Sequence, residues 1–228
     1  MVIKRGINWL LFLTGMLAVS AFAQQSETNS TTYSIDSDNS ILRVYVGRAG
    51  PLARMGHNHA VHTNGLIGEI NLASDPVNST ATFAFPVSSF FVDDQSERDR
   101  AASEGREGFD TAPGRRAIEG TRENMMSESV LNGAAHTTIA ARITTESITD
   151  DQWNFTIALD LVGSTVNLEL PANIEVNGSA LSVIACFALT HEDLGLSVFT
   201  ALGGSLRVAE QLDFELHIEA NSNKFLDQ

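Results

Sequence analysis

Short runs in which apolar and polar residues alternate make up most of the chain from Tyr33 onward. Successive side chains of a β-strand point to opposite faces, so this alternation predicts strands with one apolar face. Eight such runs occur, and most are separated by Gly, Asn, Asp or Ser, which favour turns. The runs are SILRVYVGRA, AVHTNGLIGEINLA, STATFAFPVSSFFVD, HTTIAARITTES, WNFTIALDLV, STVNLELPANIEV, SALSVIACFALT and QLDFELHIEA.

Short connections between these runs predict an antiparallel meander. SITDDQW and DLVGSTV are predicted hairpins, and the Asn177-Gly178 pair favours a type I′ turn. Eight antiparallel strands can close into a barrel whose interior is just wide enough for side chains or for one slender ligand. Because closure also removes exposed sheet edges, we predict a mainly all-β protein built as an eight-stranded antiparallel β-barrel.

Residues 97–131 break the alternation and are dense in charge and helix formers. Pro113 at a first turn predicts a helix that reaches about Met126, and residues 98–107 predict a shorter helical piece. We therefore expect a helical insertion between two strands. Such an insertion could cover an opening of the barrel, or it could be an ordinary solvated surface segment.

The apolar faces of the strands predict the interior of the barrel. Twelve Phe against two Tyr make this interior strongly apolar and poor in hydrogen-bonding groups. The pattern leaves open whether these side chains fill the barrel or line a tunnel for an apolar ligand. On one run, Phe91 is expected to share the inward face with the preceding Phe and Val residues. The predicted lumen residues are Phe83, Phe85, Val87, Phe155, Ile157, Leu159, Leu181, Val183, Phe187, Phe214 and Leu216.

The first residues predict export. Lys4 and Arg5 precede an apolar stretch that ends in Ala21-Phe22-Ala23, which is typical of a signal peptide cleaved after Ala23. We expect a periplasmic or secreted protein with a flexible leader over 24–32, a barrel domain over 33–220 and a tail over 221–228. No other stretch is long and apolar enough to span a membrane.

Charge and cysteine content narrow the possible partners. The formal net charge is −14, and loss of Lys4 and Arg5 makes it more negative. An acidic surface repels phosphate backbones and anionic membrane surfaces, which argues against nucleic acid as a partner. The single cysteine, Cys186, cannot form an internal disulfide, and on an apolar strand it is expected to be a small buried hydrophobe.

The segment PLARMGHNHAVH carries the most conspicuous polar cluster. His57 and His59 are two residues apart and would share a strand face, which makes a workable half-site for zinc or copper if His62 approaches. No Asp, Glu or Cys lies beside them. Further ligands would have to be distant in sequence: a carboxylate, His136, His191 or His217. A local structural role, contact with a ligand headgroup and a metal or haem site all stay open.

Several segments resemble the YceI-like family. YSIDSDNSILRVYVGRAG is similar to the opening of that family, NGLIGEINL to its second strand, and HEDLGLSV with VAEQLDFELHIEA to its closing segment. The resemblance runs from about Tyr33 to Ala220. It implies a lipocalin-like barrel with a helical insertion, exported and not an enzyme, that binds a polyisoprenoid chain such as a quinone tail. RMGHNHAVH and ERDRAASEGREGFD depart from the family pattern and suggest a divergent branch.

We therefore expect an exported protein that holds a polyisoprenoid, an isoprenoid quinone or another long-chain amphiphile in its lumen. Arg54, His57 and His59 would donate hydrogen bonds to a quinone headgroup at the rim. No catalytic residue, metal or fixed cofactor is expected beyond a bound isoprenoid quinone. The oligomeric state is open, a dimer included.

Two other functions are weighed. One is a metal- or haem-dependent redox protein that uses the histidine cluster. The other is a carbohydrate-binding or adhesion module with a filled barrel, which the shortage of Trp and Tyr disfavours. No G-x-S-x-G, H-E-x-x-H or phosphate-loop motif occurs. The carboxylate pairs Asp93-Asp94 and Asp150-Asp151 lie at strand ends, where Asp favours turns.

Overall fold

A computed structural model describes residues 29–150 and 152–222. Two helices lie in this part of the chain, α1 (Gln95–Ser103) and α2 (Arg115–Met126), and neither is long and apolar enough to cross a membrane. The strands are β1 (Ser30–Ile35), β2 (Ile41–Ala49), β3 (His59–Thr63), β4 (Ile67–Ala73), β5 (Thr80–Pro86), β6 (Phe91–Val92), β7 (Thr138–Thr149), β8 (Gln152–Leu161), β9 (Ser164–Asn177), β10 (Ala180–Thr190), β11 (Thr200–Ala201) and β12 (Leu206–Ser222).

Eight strands close into the barrel in the order β1-β4-β5-β7-β8-β9-β10-β12, with β12 returning to β1. Every pairing is antiparallel, so the predicted eight-stranded, lipocalin-like antiparallel barrel is confirmed. The 17-residue β12 pairs with β10 along one edge. Along its other edge it pairs first with β2 and then, near its end, with β1.

The second and third predicted strands are each split in two, into β3 with β4 and into β5 with β6, whereas the first predicted strand is β2 alone and β1 was not predicted as a strand. β1 and β2 meet at a 3-10 turn over Ser37–Asn39, and β5 and β6 meet at another over Val87–Ser89. β2, β3 and β6 continue the sheet at one end of the barrel, where the order stops at β6. At this end the chain leaves the sheet after β6, forms α1 and α2, and returns to the sheet at β7. We call it the helical end. The opposite end, with the β7–β8 and β9–β10 connections, is the hairpin end.

One buried arginine fastens α1 to the barrel. The Arg98 side chain has no exposed surface, and its guanidinium donates to Asp93 Oδ1 at 2.6 Å. It also donates to the carbonyl oxygens of Asn58 at 2.9 Å and Thr111 at 2.7 Å, and it lies 5.4 Å from the centroid of the Phe109 ring. A single side chain therefore joins α1, the start of β3, the end of β6 and the loop that follows α1.

A second charged cluster binds the α1 region to the outer wall. Glu215 on β12 accepts hydrogen bonds from Arg100 and Arg106, each at 2.6 Å. The Arg106 guanidinium lies 3.8 Å from the centroid of the Tyr45 ring on β2. Burial and the neighbouring Glu215 raise the pKa of Tyr45 to about 12, so this phenol stays neutral. α1 is thus built into the wall and is not a solvated insertion.

Three details differ from the sequence predictions. Cys186 is exposed, because the inward positions of β10 are those of its neighbours Ala185 and Phe187. The β9–β10 loop is Gly178-Ser179, since Ala180 pairs with Asn177. Among these loop residues only Gly178 has a positive φ, 63°, which fits a type II′ turn and not the predicted type I′.

The barrel is slightly longer than the predicted 33–220. β1 begins at Ser30, so the last residues assigned to the leader belong to a strand, and β12 continues to Ser222. The predicted signal peptide over 1–23, residues 24–28 of the leader and residues 223–228 of the tail lie outside the described residues.

Replacing Arg98 tests how the helical end is held together. We expect Arg98→Ala to lower the free energy of unfolding by about 3–5 kcal/mol, because it leaves the buried Asp93 carboxylate without its guanidinium partner. Urea unfolding followed by circular dichroism measures the change. The matched control is Arg142→Ala, since Arg142 pairs with Asp160 at 2.7 Å on the exposed outer face. That variant should differ little from the unchanged protein, and an equal loss in both variants would contradict the prediction.

Candidate functional site

An apolar cavity of about 620 Å³ occupies the interior of the barrel. At the hairpin end it is lined by Ser79, Thr145 and Trp153, and at the helical end by Met55 and His57. Met55 is 66 % exposed, so the cavity reaches solvent at the helical end. We call this opening the mouth. The sequence left open whether side chains fill the barrel or line a cavity. The structure shows a lined cavity.

Most of the predicted lumen residues line this cavity. They come from β5, β8, β10 and β12, where the alternation of inward and outward side chains is regular. The residues are Phe83, Phe85, Phe155, Ile157, Leu159, Val183, Phe187, Phe214 and Leu216. The loop between β10 and β11 adds further wall residues, which the sequence analysis did not assign to the lumen: Leu194, Leu196 and Phe199.

Two predicted lumen residues lie elsewhere. Val87 begins the 3-10 turn after β5, where the period of two no longer applies, and its side chain packs in the main core. Leu181 lies at the hairpin end with no exposed surface and packs in a separate core cluster with Tyr33. The same 3-10 turn reverses the expected direction of Phe91, which is 46 % exposed and stacks on His62.

The structure divides the histidine cluster. His57 and His59 both line the cavity, with ring centroids 6.2 Å apart. His62 points to the other face of β3, where its ring lies 5.2 Å from Phe91 and its Nε2 is 3.5 Å from the carboxylate of Asp94. The two-residue spacing therefore predicted correctly that His57 and His59 share a side, and His62 cannot join them.

The metal alternative finds no ligand set in the described part of the chain. Within residues 29–150 and 152–222, no group of three or more His, Cys, Asp or Glu side chains is placed to hold a metal ion. The histidines that could have completed the site lie apart. His191 Nδ1 is 2.9 Å from the carbonyl oxygen of Glu210, His217 pairs with Glu219 at 2.7 Å, and His136 packs against Gly163.

The predicted arginine at the rim is displaced. Arg54 is exposed in a 3-10 turn over Ala53–Met55 and does not line the cavity. The arginines at the mouth are Arg48 on β2 and Arg207 on β12, which are both exposed and line the cavity. Arg54 lies in a turn, where no sequence period predicts the direction of a side chain.

A buried carboxylate holds His59. Asp93, at the end of β6, has a side chain with no exposed surface, and its Oδ2 lies 2.6 Å from His59 Nδ1. Its Oδ1 accepts from the Ala60 N–H at 3.0 Å and from Arg98 at 2.6 Å. Burial alone would raise the pKa of Asp93, but the hydrogen bonds from His59, Ala60 and Arg98 together lower it below its usual range. The carboxylate is therefore ionised at neutral pH.

The ionised Asp93 sets the tautomer of the imidazole. His59 donates its Nδ1–H to the carboxylate, which leaves Nε2 as the ring nitrogen that faces the cavity. This atom lies 3.3 Å from the Thr121 hydroxyl of α2, and both residues line the cavity. The hydroxyl is closer to the carbonyl oxygen of Ala117, at 2.9 Å, and donates its single proton there. Thr121 therefore gives no proton to His59 Nε2, which lies where a polar group inside the cavity can meet it.

The Thr121 hydroxyl, the His59 imidazole and the Asp93 carboxylate follow one another in the order that hydrolases use for a catalytic triad. The geometry does not support that chemistry, because the Thr121 proton points to its own helix and away from His59. A nucleophile needs its proton within hydrogen-bond reach of the base. The arrangement is better suited to orienting a polar group of a ligand.

Sequence reasoning missed Asp93 and Thr121. Asp93 was assigned to a turn, and its φ of 55° is indeed a turn conformation. Its partner His59 is 34 residues away, and the two meet because β6 pairs with β3. Thr121 is one helical turn from both Ala117 and Met125, which also line the cavity, so the period of α2 could have placed it on the inward face.

Comparisons with known proteins address the fold. No protein-family model matches the sequence, and no curated protein matches it significantly. Among solved structures, BcnA of Burkholderia cenocepacia is 10% identical and has a TM-score of 0.58 over 82% of this chain and 99% of its own. A polyisoprenoid-binding domain from Saccharophagus degradans, implicated in plant cell wall breakdown, is 11% identical with a TM-score of 0.54 over 84% and 99%.

The YceI protein of Campylobacter jejuni is also similar, at 9% identity and a TM-score of 0.51 over 72% of this chain and 85% of its own. At these identities the likeness concerns the fold and not the details of the site. It agrees with the resemblance seen in the sequence, and the chain has the barrel fold of YceI-like proteins.

Proposed function

We propose that this is an exported binding protein that holds the tail of a long-chain amphiphile, a polyisoprenoid or an isoprenoid quinone, inside its barrel. The observation that carries the proposal is the apolar cavity of about 620 Å³ that runs from the hairpin end to the mouth. Small-molecule sites typically enclose about 300–1,000 Å³, so the cavity is large enough for a ligand. Its extended shape favours a chain over a bulky ring system.

Hydrophobic transfer is sufficient to bind such a tail. Each buried methylene contributes about 0.8 kcal/mol, so one isoprene unit contributes a few kcal/mol. The lost freedom of the tail and of the complex opposes this gain. Because the walls offer few polar groups, the affinity should depend mainly on tail length.

The polar groups at the helical end suggest the orientation of the ligand. His57, His59 and Thr121 lie at that end, whereas Phe155, Val183 and Ile174 surround the inner part of the cavity. The tail would point towards the hairpin end, with the headgroup beside His59. Since neutral His59 offers an acceptor at Nε2, it suits the hydroxyl of a polyprenol or a quinol. We propose this acceptor role for neutral His59 in place of the donor role expected from the sequence.

Blocking the cavity tests the tail site. Ala185 on β10 lines the cavity, whereas Ala188 on the same strand is exposed outside. We expect Ala185→Trp to weaken binding of the long-chain alcohol solanesol by roughly tenfold or more, because an indole displaces at least two buried methylenes. Binding of the short alcohol geraniol should change less. Equilibrium binding to the purified protein measures both affinities.

Ala188→Trp serves as the matched control and should bind both alcohols as the unchanged protein does. Thermal unfolding of the three proteins checks that each is folded. If the outward variant loses as much affinity as the inward one, or if neither loses any, the cavity is not the tail site.

Replacing His59 tests the headgroup site. We expect His59→Leu to weaken binding of solanesol and of a long-tailed ubiquinol by about 1 kcal/mol, or roughly fivefold, because one hydrogen bond is lost. Squalene has no headgroup, so its affinity should not fall. The oxidised ubiquinone should lose less than the quinol at neutral pH, since it offers only acceptors. Parallel titrations with the four ligands measure these differences.

His62→Leu is the control, because His62 lies on the opposite face of β3. An equal loss for squalene would show that His59 acts only through packing. A larger loss for the quinone than for the quinol would contradict the assigned tautomer.

A further inference from the structure

Two loops meet at the mouth and form one continuous surface. The Leu52 N–H donates to the Ser205 carbonyl oxygen at 2.9 Å, and β11 pairs with the start of β12. Gly50 has a φ of 93°, and a Cβ there would lie 2.7 Å from the same Ser205 oxygen. Glycine thus permits the close approach of the two loops. We call residues 50–57 and 199–207 the mouth surface.

Large apolar side chains are exposed on this surface. Met55 is 66 % exposed, Leu202 is 60 % exposed and Leu52 is 37 % exposed. Single exposed apolar residues are ordinary, but three on touching loops form a patch, and such patches mark interaction sites. Met55 also lines the cavity, so the patch is continuous with the apolar interior.

The charge around the mouth is opposite to that of the whole protein. The chain has 28 Asp and Glu residues and a net charge of −14, yet residues 46–68 and 194–209 contain no Asp or Glu. These segments carry three exposed arginines at or beside the mouth: Arg48, Arg54 and Arg207. The acidic residues near this surface include Glu210, at 3.7 Å from Arg207, and Glu107, in the loop that contacts Asn58.

We propose that the mouth surface docks onto an anionic phospholipid bilayer. An apolar tip flanked by arginines is the composition that binds the interface of anionic membranes. The apolar contacts would be Leu52, Met55 and Leu202, and the phosphate contacts would be Arg48, Arg54 and Arg207. This geometry would bring the cavity against the lipid, so that an amphiphile could pass between them without crossing water.

Local and overall charge act over different ranges. The net negative charge repels an anionic bilayer at a distance, but salt at physiological strength screens charges beyond about 8 Å. At contact, each arginine near the surface strengthens binding by roughly fivefold. We therefore infer that the repulsion of anionic membranes expected from net charge does not extend to the mouth surface. Docking should be reversible, since a few side chains insert only into the interface.

Vesicle sedimentation with the full protein tests the proposal. The probes are vesicles of phosphatidylcholine alone and vesicles in which one third of the lipid is phosphatidylglycerol, both free of isoprenoids. We expect binding to the anionic vesicles at physiological salt and at least about tenfold weaker binding to the neutral ones. Met55→Ser with Leu202→Ser should weaken anionic binding by about tenfold, and Arg48→Gln with Arg54→Gln by roughly twentyfold.

Matched controls come from outside the mouth. Val176, at the hairpin end, is 48 % exposed, and Arg142 is exposed on the outer wall, so Val176→Ser and Arg142→Gln should sediment as the unchanged protein does. Equal binding to both kinds of vesicle, or an equal loss in the controls, would overturn the proposal. If the mouth variants instead abolish a self-associated form of the protein and leave vesicle binding intact, the surface is a contact between two copies.

The docking proposal and the proposed tail binding can be refuted independently. Ala185→Trp obstructs the cavity and leaves the mouth surface unchanged, so its vesicle binding should persist while solanesol binding falls. Vesicle binding without any ligand affinity in the unchanged protein would refute the proposed function alone. Solanesol binding without vesicle binding would refute the docking proposal alone.

Discussion

Closure of the sheet by β12 is the interaction on which the rest of the structure depends. Its 17 residues pair with β10 on one edge and with β2 and β1 on the other, so the backbone hydrogen bonds run around the whole barrel. Because the backbone is satisfied by this closure, the interior does not have to be filled to hold the strands together. An apolar cavity of about 620 Å³ can therefore persist inside a barrel of ordinary size.

The helical end follows a different physical rule. There, a buried ion pair between Asp93 and Arg98 joins the excursion through α1 to the barrel. Such pairs often stabilise a protein less than apolar packing would, but they impose one geometry, because neither charge can be left alone. In this protein that geometry also aligns His59 and determines which of its nitrogens faces the cavity. The same set of contacts thus anchors the helices and positions a polar group for a ligand.

The mouth shows that net charge is a poor guide to local behaviour. A chain with a net charge of −14 leaves its acidic residues out of two segments that are distant in sequence, 46–68 and 194–209. Antiparallel pairing of β2 with β12 brings these segments together around the opening of the cavity. A charge average over the sequence cannot detect this, since it carries no information about which segments become neighbours.

The sequence by itself determined the elements of the fold and the direction of most side chains. Alternation predicted seven of the eight barrel strands, all but β1, and placed Phe83, Leu159 and Phe214 inward, since the period of two is a local property of extended chain. It failed at Val87 and Phe91, where a 3-10 turn interrupts the period, and it assigned Asp93 to nothing more than a turn. The pairing of Asp93 with His59 across 34 residues, the contact of α2 with the cavity and the joined loops of the mouth were decided only by the tertiary structure. Each depends on which distant segments pair, and local patterns do not encode that.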